Sequence, residues 1–169
     1  MRLWDFIRTL KWRQIYRLLI LCLGNPSRLW PTWKATKRSV SLANKYYGLT
    51  HQRNTAANAF RHALWNYLVA EACYNDNSDI ENTLVWTKKI TDIHEELYPN
   101  PPLSKAMDLH NNEVGRALFK KNRQGNPEEI ISLLRAKAHE SILIKSLEDL
   151  SKIPADNLAH MINADNNER

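Results

Sequence analysis

The sequence predicts an all-α fold, a single-domain bundle of six to seven helices around a polar pocket. Three observations lead there. The 169 residues hold 43% apolar and 25% charged side chains, the balance of a globular domain large enough to bury a core. Glycine is scarce, with four in the chain, and apolar residues recur at helical rather than strand spacing. Finally, three stretches place clustered polar groups inside apolar helices: "NAFRHALWN" at 58–66, "TDIHEE" at 91–96 and "MDLHNNEVGR" at 107–116.

The elements follow in order. Residues 2–23 read as a helix, with Ile15, Leu18, Leu19 and Cys22 in one stripe, and with Trp4, Phe6, Trp12 and Tyr16 set among cations. "GNP" at 24–26 stops it, because Gly24 suits a left-handed cap and Pro26 cannot continue the ladder. A second helix is expected from about Pro31, whose fixed φ suits a first turn, to Tyr47, with Trp33, Val40, Ala43 and Tyr47 on its inner side. Asn54 or Thr55 caps a third helix over 55–74, and Ser78 or Asp79 a fourth over 79–97, whose core stripe reads Trp86, Ile90, Ile93 and Leu97. "PNPP" at 99–102 breaks the chain before a fifth helix over 103–121 that buries Leu103, Met107, Val114 and Leu118. Asn126, Pro127, Glu128 and Glu129 make a helix start of cap, proline and first-turn acids, and the sixth helix is expected to reach about residue 150. A short helix at 155–163 would follow Pro154, and 163–169 read as a frayed tail. The organisation is therefore basic amino-terminal helices (1–48) packing on a motif-bearing core (49–162), then the tail.

Charge is unevenly placed. Residues 1–50 carry ten Lys/Arg against one Asp, whereas the rest carries fourteen against seventeen acids. A basic first third suggests an anionic partner there, either an anionic membrane surface met through residues 1–48 or nucleic acid. The apolar run "LLILCL" at 18–23 is far shorter than the roughly 20 residues a span needs. The expectation is a cytoplasmic protein, peripheral at the inner membrane face if it meets lipid. Cys22 and Cys73 sit in apolar runs and read as core thiols rather than a disulfide.

The three polar stretches carry the chemistry. Asn58, His62 and Asn66 are spaced i, i+4, i+8 and line one stripe, with Arg61 beside it. Thr91, His94 and Glu95 share a face of the fourth helix. In the fifth, Asp108, Asn111, Asn112 and Gly115 share a side, His110 projects from the apolar stripe, and Arg116 lies one turn beyond Asn112. Consecutive asparagines cost a helix interior roughly 0.5 kcal/mol each, so their amides are expected to find work. Buried polar stripes need partners from other helices. A structural hydrogen-bond network satisfies that need. So does a site, since bundles gather imidazoles and carboxylates from facing helices. The candidates are His62, His94, Glu95 and Asp108 for catalysis, and Asn58, Arg61, Asn66, Asn111, Asn112 and Arg116 for substrate. A divalent metal (zinc or manganese) would take His62, His94, Asp108 and His110, although the spacing matches no known metal helix.

In that order and at those separations, the three motifs resemble a bacterial domain family of unknown function, notably from Bacteroidota. Its helices read N-A-F-R-H-A-x-W-N, D-x-H-E and M-D-L-H-N-N-x-x-G-R. The likeness covers about 54–120, with "NPSRLWPTWKATK" at 25–37 adding to it. It implies that the motif residues, Trp65 and Asp92 among them, form one unit, and it implies no particular reaction. A narrower likeness, confined to "DIHEE" and "MDLHNN", is to zinc-dependent phospholipases C and related nucleases. The functional expectation is a hydrolase, with or without a metal, acting on a phosphoester or another anionic, small-molecule or lipid-linked substrate. The alternatives are a non-catalytic module that binds membrane or nucleic acid, and a toxin-type effector domain.

Overall fold

The computed structural model describes residues 20–21, 23–74, 79–97, 100–123 and 125–162. The expected first helix falls almost wholly outside these residues, as do most of the 75–79 loop and the tail. The remainder is a bundle of six helices with a two-residue strand pair: α1 (Pro26–Tyr47), a 3-10 turn (Gly48–Gln52), α2 (Ala56–Cys73), α3 (Ile80–Leu97), α4 (Pro102–Lys121), α5 (Pro127–His139), β1 (Ile142–Leu143), α6 (Leu147–Ser151) and β2 (Ala159–His160). The all-α single-domain expectation holds.

α2 is the central element, flanked by α1, α3, α4 and α5. Its sequence explains this. Ala57, Ala59, Ala63 and Ala70 leave little bulk between backbones, while Phe60, Leu64, Tyr67, Leu68 and Val69 supply buried volume. The tightest approach is to α4. A Cβ added to Gly115 would stand 2.1 Å from the Ala63 carbonyl oxygen and 2.9 Å from the Ala63 Cα. Only a residue without a side chain lets the two helices meet there.

Several elements differ from the sequence-based expectation, each for a physical reason. α1 starts at Pro26, five residues before Pro31, which lies inside the helix. The buried residues of α1 are Thr32, Ala35, Ser39 and Ala43, whereas Trp33 and Val40 are exposed. Small and hydroxyl-bearing side chains face α2 because two tryptophan rings plug the gap, the Trp65 Nε1–H donating to Thr36 Oγ1 (2.8 Å) and the Trp86 Nε1–H to Thr32 Oγ1 (3.0 Å). The inner stripe of α3 is Thr83, Thr87, Thr91 and Glu95 beside Trp86, while Ile90, Ile93 and Leu97 are half-buried. On α4, Met107, Val114 and Leu118 are buried as expected and Leu103 is half-buried.

The largest correction is at the carboxyl end. α5 begins as expected, with Asn126 accepting from the Glu128 N–H, but it ends at His139 rather than near 150. Over the described part of the expected 155–163 helix, residues 155–162, there is no helix. Instead β1 and β2 pair in parallel, Ile142 with Ala159 and Leu143 with His160. The outer edge of β2 is satisfied by Asn111 of α4, whose amide accepts from the Ala159 N–H and donates to the Ala159 carbonyl, both at 2.9 Å. One asparagine side chain thus does the work of a neighbouring strand, so a segment too short to form a sheet alone keeps its backbone polar groups paired. Ser146 and Asp149 form a capping box that starts α6 between the strands. Cys73 is a buried thiol near Thr32, and Cys22 lies outside the described residues.

The contact at Gly115 makes the first prediction. Gly115→Ala should destabilise the protein by about 1–3 kcal/mol in urea titrations, because overpacking against a backbone exceeds the gain in helix propensity. A variant as stable as the wild type would show that α2 and α4 do not pack at this distance.

Candidate functional site

Helical geometry brings the three motifs together. On α2, Asn58, His62 and Asn66 share one side, and all three are buried. That side faces α3 at Thr91 and Glu95 and α4 at Asp108, Asn112 and Arg116. His62, Glu95 and Asp108, one from each helix, each present a ligand atom within 4.8 Å of the others, and all three residues are buried. The His62 ring lies between the two acids, with Nδ1 3.7 Å from Glu95 Oε1 and Nε2 3.5 Å from Asp108 Oδ1.

An asparagine network orients the ring. The His62 Nδ1–H donates to Asn112 Oδ1 (3.1 Å), which also accepts from the Asn66 amide at 2.6 Å. Asn66 Oδ1 in turn accepts from Arg116 Nη1 (2.7 Å) and from Thr91 Oγ1 (3.3 Å). Arg116 also pairs with Glu113 at the surface. With Nδ1 committed as a donor, Nε2 keeps its lone pair, and it accepts from Arg61 Nη2 at 2.8 Å. Among the described residues, Asn112 Nδ2, Glu95 Oε1 and Asp108 Oδ1 are buried and make no hydrogen bond, while Asp108 Oδ2 meets the Asn100 amide at a long 3.4 Å. Buried carboxylate oxygens without donors are costly unless a cation or proton meets them.

The titration behaviour follows from this crowding. Burial, then the charge of Glu95, raises the Asp108 carboxyl to about 7, against the opposing pull of Arg61 and Asn100. Burial also raises Glu95, with Arg61, Asn112 and Lys105 opposing. His62 is driven well below its ordinary value by burial first, then by Arg61 and His94. His94 falls to about 4, through burial and then Arg61, so it is neutral at physiological pH.

A small open cleft of about 80 Å³ reaches this cluster from the α1 side, lined by Thr36, Ser39, Val40, Arg61, His62, Trp65 and His94. His94 packs edge-on to the Trp65 ring at 5.1 Å between centroids. His62, His94 and Arg61 therefore meet in one cleft, with Glu95 and Asp108 at the His62 ring.

Other sequence-derived candidates serve elsewhere. His110 Nε2 lies 2.8 Å from the Asn157 carbonyl and holds the carboxyl-terminal segment, as Asn111 does through Ala159. The Asn58 amide donates to the His51 carbonyl at 3.3 Å. Asn66, Asn112 and Arg116 act through the network, and Asn112 alone touches the His62 ring. Sequence reasoning missed Thr36 and Ser39 on the cleft wall. Their only signal was the spacing of small polar residues on α1, which pointed inward once Trp33 and Val40 faced out.

A family model described as "Domain of unknown function (DUF6973)" matches residues 19–142. The chain belongs to the DUF6973 family. That match takes in α1 to α5 and every residue of the cluster just described. No curated protein and no solved structure matches the chain. Among the described residues of this DUF6973 chain, no helix is long and apolar enough to cross a membrane.

The raised Asp108 value gives a pH prediction. An acid whose folded pKa exceeds the unfolded 3.8 contributes stability that is full below about 4 and lost as pH rises through about 7. Asp108→Asn should therefore gain stability over the wild type between those limits, by on the order of 2–4 kcal/mol at pH 8 in chelator-treated protein. A stability difference that does not change with pH would remove Asp108 from the buried cluster.

Proposed function

We propose that the protein is a bacterial hydrolase of anionic esters, with phosphoesters as the substrate class, and that His62, Glu95 and Asp108 hold a divalent cation for it. One observation carries the reading. Three ligand atoms from three helices lie within 4.8 Å of one another in a buried site, and two of the residues leave a carboxylate oxygen without a donor. The His62 tautomer fits, since Asn112 takes Nδ1 and leaves Nε2 on the side of Asp108. One imidazole with two carboxylates suits zinc or manganese. The bacterial setting rests on the motif resemblance alone.

Such a cation, when bound, polarises the ester and lowers the pKa of water. The chain's own residues do the rest. Arg61 lines the cleft and offers its guanidinium to the substrate's anionic oxygens. His94, neutral at pH 7, accepts a proton from the attacking water as the water oxygen bonds to phosphorus. The bond from phosphorus to the leaving oxygen breaks, and His94 returns that proton to it. Trp65 sets the His94 ring edge and excludes solvent from one side.

A metal-free route has one specific observation behind it, the Arg61 guanidinium seated on His62 Nε2. In that route His62 and Asp108 exchange the proton and Arg61 alone binds the anion. Titration calorimetry with zinc and manganese, followed by assay of bis(p-nitrophenyl) phosphate, separates the two. The expected result is one equivalent bound, turnover that needs the metal, and at least about tenfold weaker binding in His62→Ala. Turnover that survives chelation and is lost in His62→Ala would favour the metal-free route. Neither binding nor turnover would overturn the proposal.

A further inference from the structure

We infer that the outward face of α1 is a docking surface for an anionic lipid bilayer. The face is apolar where a helix packed on one side should be polar. Trp30 is 59% exposed, Trp33 49% and Val40 40%, and just ahead of the helix Leu23 is 79% exposed. The two indoles stack on each other, with centroids 4.7 Å apart and planes 21° from parallel. A surface groove bounded by Pro26, Leu29 and these two rings continues the patch.

Cations are interleaved with the rings. The Lys34 ammonium sits 5.3 Å from the Trp30 ring centre and the Lys37 ammonium 4.7 Å from that of Trp33. α1 as a whole carries Arg28, Lys34, Lys37, Arg38 and Lys45 and no acid. Arg28 and Arg38 are engaged with the body, through the Asn82 carbonyl and Glu71 respectively, whereas Lys34 and Lys37 project with the tryptophans. Indole rings partition to the depth of lipid headgroups, and ammonium groups beside them meet phosphate. The arrangement fits an anionic bilayer better than a nucleic acid, because aliphatic Leu23 and Val40 extend the patch and gain nothing from a phosphate backbone. Residues 1–50 carry ten cations against one acid, so the charge of the whole region is complementary to an anionic leaflet.

The surface also has a position relative to the cleft. Trp33, Lys37 and Val40 follow i, i+4, i+7 along α1, and Val40 with Thr36 lines the mouth of the cleft that holds Arg61, His62 and His94. A docked protein would therefore open its cleft beside the membrane. Under the hydrolase reading above, that makes a phosphate-bearing lipid the substrate class. The docking itself does not depend on that reading.

The test is co-sedimentation of the full chain with vesicles of phosphatidylcholine, with and without 30% phosphatidylglycerol. Binding is expected to the anionic vesicles, to weaken with salt, and to fall about tenfold in Trp30→Ala/Trp33→Ala. Each of Lys34→Ala and Lys37→Ala should cost about fivefold. These side chains are exposed, so the variants should keep wild-type circular dichroism, and Lys34→Glu/Lys37→Glu gives a second route if the tryptophan pair does not. Equal binding to neutral vesicles, wild-type binding by both double variants, or preference for a DNA duplex over the anionic vesicles would each overturn the proposal. Vesicle binding without phosphodiesterase turnover would leave the docking surface standing and remove only the hydrolase reading.

Discussion

The backbone contact between Gly115 and Ala63 governs what this molecule can do. At a crossing where a single methyl group would stand 2.1 Å from a carbonyl oxygen, α2 and α4 lie close enough for short side chains to span the gap. Asn66 and Asn112 hydrogen-bond directly at 2.6 Å, and Asn112 reaches His62. A wider crossing would need longer, floppier polar side chains, and the entropy of ordering them would weigh against the network. The small residue at 115 thus converts a pair of helices into a frame for a histidine with one tautomer.

That frame holds unlike partners at different costs. The amides, Thr91 and Arg116 form a chain of donors and acceptors in which nearly every group is met, as buried polar networks require. Among the described residues Asn112 Nδ2 is left over, and so are Glu95 and Asp108, with oxygens turned to an imidazole that has little tendency to become charged. Burial opposes charge on all three groups, Glu95 adds to the cost of ionising Asp108, and Arg61 is the positive charge that offsets both acids. A fold gains no stability from such an arrangement, since well-packed apolar residues of similar volume would serve as well or better. The arrangement makes sense as a place where charge is delivered by something that binds.

The helices were legible because their punctuation is strong. Pro127 after Asn126, Pro101 with Pro102, and Gly48 mark ends by geometry that no tertiary contact has to supply. The three motif helices could be read as converging because polar residues in apolar helices need partners, and His62, Glu95 and Asp108 did converge. What stayed hidden depends on contacts distant in sequence. The Thr83, Thr87 and Thr91 stripe looks like surface until Thr83 and Thr87 turn back onto the carbonyls of Asp79 and Thr83 and Thr91 meets Asn66. Trp33 and Val40 look like core by hydropathy, yet the indoles of Trp65 and Trp86 already fill the space beneath α1. The strand pair rests on one asparagine nearly fifty residues away in sequence, beyond any local pattern. For the same reason His110 and Asn111 read as site residues when their work is to anchor the carboxyl-terminal segment.

Two features of α1 join the account. Its inner side walls the cleft, and its outer side carries stacked tryptophans with lysines over their faces. A single helix thus connects whatever the protein rests on with whatever enters the cleft. The chemistry of the cleft is the central claim, and locating the cation tests it most directly. Crystals soaked in manganese and measured at a wavelength where manganese scatters anomalously should show one strong peak about 2.0–2.2 Å from His62 Nε2 and from oxygens of Glu95 and Asp108. A peak elsewhere, or none at saturating manganese, would contradict the account.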